Sequence, residues 1–88
     1  MPDVVNRELA ARFESHVKEP DHREAVIVTS EQPIDPETLA ATGMEVIFVS
    51  GDGRIASGTV DRGGLDQVVA LEGVTRVEAD TEMHALGD

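Results

Sequence analysis

The sequence predicts an α+β fold. Two runs, Ala25-Val26-Ile27-Val28-Thr29 and Val46-Ile47-Phe48-Val49, are apolar and mostly β-branched, the pattern of strands covered on both faces. Between and after them stand helix starts and stops: Asp35-Pro36-Glu37 places an N-cap before a first-turn proline, and Gly43 and Gly73 close helical runs. Gly51-Asp52-Gly53 joins the second run to a return strand as a hairpin turn.

Taken in order, Asp3 or Asn6 caps a first helix whose apolar stripe is Val5, Leu9, Phe13 and Val17 and which Pro20 ends. Glu19 to Arg23 is a charged linker. A strand at 25–29 follows, then a brief helix through Leu39, Ala40 and Ala41, then a strand from Met44 to Ser50. The return strand spans Arg54 to Val60, and Gly58 inside it marks a bulge or a close backbone approach. Leu65, Val68 and Val69 recur at helical spacing, and Val74 to Ala79 is the last strand. A helix followed by β-α-β-β-α-β implies a ferredoxin-like plait, a four-stranded antiparallel sheet with two helices on one face, plus an extra N-terminal helix. The sequence divides into that helix (1–19) and an α+β domain (24–86).

Composition narrows the function. With 88 residues, two Phe and no Trp or Tyr, the core is small and aliphatic. The lack of cysteine excludes thiol catalysis and thiolate metal sites and suits a cytoplasmic protein; no signal peptide or membrane span is read at the N-terminus. A net charge of −11 repels phosphate backbones, so nucleic acid is not an expected partner, nor is a membrane. Acidic, lysine-poor and aromatic-poor composition together points to a halophilic protein, its self-repulsion screened at high salt.

Catalysis is not expected. Ser15, Ser30, Ser50 and Ser57 lie in no nucleophile elbow, and only Ser15, beside His16, has a histidine close in sequence; Gly51-Asp52-Gly53 is explained by its hairpin and Gly63-Gly64 by helix entry. His16 and His22, with Glu19 and Asp21 between them, carry metal-ligating atoms, but residues of a charged linker are ordinarily solvated, and no metal or cofactor is expected.

The C-terminal stretch carries the strongest functional signal. Alternation along Val74 to Asp80 sets Val77 and Ala79 on one face and Arg76, Glu78 and Asp80 on the other, with the two carboxylates about 7 Å apart. Beyond Asp80 the pattern dissolves into Thr-Glu-Met-His-Ala-Leu-Gly-Asp. This Gly73-Val74-x-x-Val77-Glu78-x-Asp80 strand, with the tail through Leu86, resembles the C-terminal segment of the subtilisin propeptides, small domains that chaperone and inhibit subtilisin-like serine proteases. The resemblance covers Glu24 to Leu86, and its motif residues lie from Gly73 onward.

It implies a protease-binding set of Glu78, Asp80, Met83, His84, Ala85 and Leu86. The two carboxylates would cap surface helices of the protease, where unpaired N–H groups attract anions. The tail would lie in the cleft as a substrate mimic, by strand addition. Leu86 would fill the primary pocket and Met83 the pocket three residues upstream, Ala85 would suit a crowded position, and His84 would face solvent with no catalytic role. The open sheet face would dock on the protease.

The chain departs from the family in its short first plait helix, its extra N-terminal helix, and Gly87 and Asp88, which put the Leu86–Gly87 bond where cleavage would occur. The reading is a free-standing inhibitor or folding helper. The competing expectation is a structural or ligand-sensing plait that forms a homodimer through its open sheet face, burying Ile47 and Val49.

Overall fold

The computed structural model describes residues 4–19 and 21–80. Its elements run α1 (Arg7–Ser15), β1 (Glu24–Ser30), α2 (Pro36–Ala41), β2 (Glu45–Val49), β3 (Ile55–Val60), α3 (Arg62–Val69) and β4 (Val74–Ala79). The strands form one antiparallel sheet in the order β2-β3-β1-β4, with β1 and β3 central, an α+β arrangement compatible with a ferredoxin-like plait of which α2 and α3 are the two helices and α1 the extra one.

Each helix begins at a side-chain cap. Asn6 accepts from the N–H of Glu8 at 2.9 Å, Asp35 from Glu37 at 2.9 Å, and Asp61 from Gly64 at 2.7 Å. Asn6 therefore starts α1, and the predicted stripe holds only in its middle: Leu9 and Phe13 are buried. Val17 lies past the end of the helix and is 65% exposed. Val5 precedes the cap and pairs in parallel with Val77 instead. The helix stops at Ser15, whose hydroxyl donates back to the Ala11 carbonyl while the His16 N–H reaches Phe13 in a tighter turn.

Two rows of facing residues cross the buried side of the sheet, Val46–Gly58–Val26–Ala79 and Val49–Ala56–Val28–Val77. They meet Leu39, Leu65, Val68, Leu9 and Phe13 in one aliphatic core. Glu24 shares this face by alternation, and Arg12 of α1 reaches its carboxylate at 3.5 Å, so α1 packs on the same side as α2 and α3. The boundary read between 19 and 24 is thus not a break in the core. Gly58 is where β2 comes closest: a Cβ there would stand 2.1 Å from the Glu45 carbonyl oxygen. The irregularity expected at Gly58 falls on its neighbour strand, where the register shifts between Val46 and Phe48.

The β2–β3 turn needs positive φ at one residue, Gly53 (73°). Asp52 fastens it, accepting from the Ser50 hydroxyl at 2.6 Å and the Arg54 N–H at 3.1 Å, and these bonds, the Ser50 one foremost, hold its carboxyl below the usual aspartate range. The folded value lies below the unfolded one, so this support is complete above about pH 4 and is lost as pH falls through the folded value. Asp52→Asn is therefore expected to lower stability at pH 7 and to shrink the stability difference between pH 7 and pH 3, as measured by denaturant unfolding at both.

Candidate functional site

The other side of the sheet carries no helix among the described residues. Its rows are Glu45–Thr59–Ala25, Phe48–Ser57–Ile27–Glu78 and Ile55–Thr29–Arg76. At its β2 end this face is apolar: Ile47 is 59% exposed, Phe48 57% and Ile55 44%. At its β4 end it is charged, with Arg76 and Glu78 paired at 3.6 Å. The register shift explains the apolar end, because two consecutive residues of β2 stand opposite Ser57, and Ile47 is turned out with Phe48. Val49 belongs to the buried row, so a surface for self-association consists of Ile47, Phe48 and Ile55 rather than the expected Ile47 and Val49.

The two outer edges of the sheet differ. Along β4, Val4 to Asn6 lies as an added segment: the Val77 N–H donates to the Val4 carbonyl at 2.7 Å and the Asn6 N–H to the Val77 carbonyl at 2.8 Å. That edge is closed at its centre. Along β2 no described strand pairs with the outer side. The β-branched Val4-Val5 pair directly before the Asn6 cap is the signal from which this edge contact could have been read.

Of the predicted protease-binding residues, Glu78 lies on the open face beside Ile27, partly exposed. Asp80 is 7% exposed, and its N–H donates to the Ala25 carbonyl at 2.9 Å. The two carboxylates therefore differ in exposure, Glu78 partly open to solvent and Asp80 buried. Met83, His84, Ala85 and Leu86 lie outside the described residues.

On the helix side, at the end of α1, the linker is not a set of separately solvated groups. His16, His22 and Glu24 bring ligand atoms within 4.8 Å of one another. They border a cleft of about 370 Å³ with Arg12, Arg23 and Ala25. The imidazoles stack with centroids 3.7 Å apart, and Phe13 presents an edge contact to His22 at 6.2 Å. Glu19 is hydrogen bonded to His16 Nδ1 at 2.5 Å, which, with the nearby imidazole charge, holds its carboxyl below the usual range. Sequence reading noted the two histidines but not Glu24, because a strand residue of the buried face is not an evident partner for a loop histidine.

No protein-family model matches the chain, and no curated protein is significantly similar to it. No helix among the described residues is long and apolar enough to cross a membrane.

Proposed function

We propose that this protein is a propeptide-like inhibitor or folding helper of a subtilisin-like serine protease, docking through its open sheet face and placing its C-terminal tail in the protease cleft. The observation that carries the reading is the position of α1: it packs on the same side of the sheet as α2 and α3, leaving Ile47, Phe48 and Ile55 exposed on the face the resemblance assigns to docking. An apolar face of this kind on a very acidic small domain is a surface for another protein. Glu78 lies on that face and is the more accessible of the two carboxylates for a protease helix N-terminus, Asp80 being buried in the free protein. The tail residues Met83 to Leu86 enter the reading through the resemblance. Nothing in the reading requires the protein to turn over a substrate. Its setting is proposed to be a high-salt cytoplasm, on the acidic, cysteine-free composition.

The test is titration against a subtilisin-like protease at an ionic strength of about 1 M, where surface repulsion is screened. Inhibition is expected at about 10 µM or below. Removal of Met83 to Asp88 is expected to weaken it by about 100-fold or more, as loss of a central anchor does. Absence of inhibition by the intact chain at that concentration ends the proposal.

A second reading has its own observation. β2 is an edge strand whose outer side is unpaired among the described residues and which exposes Ile47 and Phe48, an arrangement that also suits pairing of two copies as a structural or ligand-sensing module. The same truncation separates the two readings, since a dimer built on β2 is unaffected by it in sedimentation or light scattering.

A further inference from the structure

We infer that His16, His22 and Glu24 form a binding site for a divalent transition metal of the zinc class, a clip between the end of α1 and the start of β1. The backbone creates the convergence. The Glu19 N–H donates to the His16 carbonyl at 2.9 Å and the His22 N–H to the Glu19 carbonyl at 3.0 Å. Two successive three-residue turns thus bring positions 16, 19 and 22 to one side. β1 then begins, and alternation turns Glu24 to the face on which α1 lies. His22 Nε2 and one Glu24 oxygen meet directly, and an ion inserted there replaces that hydrogen bond.

The surroundings suit the role. Glu19 engages His16 Nδ1 and leaves Nε2 as the ligand atom, the carboxylate–histidine pairing that orients metal-bound imidazoles. Arg12 takes the other Glu24 oxygen at 3.5 Å and fixes the carboxylate from behind. Arg23 borders the cleft, but its guanidinium is committed elsewhere, donating to the Thr59 carbonyl at 2.7 Å and the Gly43 carbonyl at 3.0 Å. Phe13 walls one side. Two imidazole nitrogens and a carboxylate oxygen select zinc, cobalt, nickel or copper over magnesium and calcium, which prefer oxygen alone. Metal–ligand bonds of about 2.0–2.2 Å require the three donors to draw together and the stacked rings to tilt apart, movements open to side chains that border a cleft and are not fully buried. A cysteine-free domain of this size gains a staple from such an ion. The site lies on the helix side, so its occupancy is independent of docking on the open face.

The experiment uses the untagged full chain and zinc ion, in competition with a chromophoric chelator. One ion per chain is expected to bind with a dissociation constant below about 10 µM. His16→Ala is expected to weaken binding by about 10-fold or more, as loss of a ligand or its support does. Zinc at 100 times its dissociation constant is expected to raise the thermal midpoint by about 10 °C or more in the wild type, and not in His16→Ala. Cobalt is expected to give visible absorption bands that His22→Gln abolishes. No saturable zinc binding by about 100 µM, wild-type affinity in His16→Ala and His22→Gln, or an equal response to magnesium overturns the assignment.

Discussion

Replacing Leu9 by alanine is expected to cost about 3 kcal/mol, the range for a fully buried leucine whose cavity closes only in part. Leu9 is 0% exposed and packs with Phe13 into the core formed by Val26, Val28 and Val77. The unfolding midpoint of this 88-residue chain is expected to fall by about 10–20 °C. The effect is large because the domain has little else to draw on: α2 is six residues long and buries only Leu39. Val17→Ala, at a side chain 65% exposed, serves as the control and is expected to change stability by less than about 0.5 kcal/mol. Thermal or denaturant unfolding followed by circular dichroism measures both. A loss at Leu9 as small as that at Val17 would mean that α1 is an appendage and that the fold is complete without it.

The double variant Ile47→Thr/Phe48→Thr is expected to reverse that balance, harming recognition and sparing the fold. Both side chains are more than half exposed, so little burial is lost, and threonine is itself β-branched, a shape that a strand accepts. Protease inhibition is expected to weaken by about 10- to 100-fold, because apolar anchors at the centre of an interface carry much of its affinity. The midpoint of unfolding is expected to move by no more than a few degrees. Should inhibition survive at full strength, docking through this face is wrong. If inhibition is absent in the wild type, the same variant tests the second reading: a dimer joined at β2 would dissociate.

The two variants differ in what the sequence offered. Leu9 and Phe13 stand at helical spacing between charged residues, and Asn6 is one of the two candidate caps, so α1 was legible as an element. Which side of the sheet it covers was not. The stripe Val5, Leu9, Phe13, Val17 suits either face equally, and the choice rests on Arg12 meeting Glu24 and on Val4 to Asn6 pairing with β4. Likewise, Val46 to Val49 was legible as an apolar strand, but not its register shift against β3, which turns Ile47 outward and leaves Val49 in the core row. The carboxylates of the last strand differ in burial, which alternation does not foretell: Glu78 is partly exposed and Asp80 is buried.

By itself, then, the sequence determined the elements, their caps and turns, the aliphatic character of the core and the order that makes a plait. These depend on residues within a few positions of one another, where spacing, side-chain hydrogen bonding and backbone freedom act directly. The tertiary structure alone decided which face stays open, which edge is closed, and that His16, His22 and Glu24 meet at the end of α1. Those outcomes depend on packing and pairing between segments distant in the chain, and the same local pattern is compatible with more than one of them until the whole core is assembled.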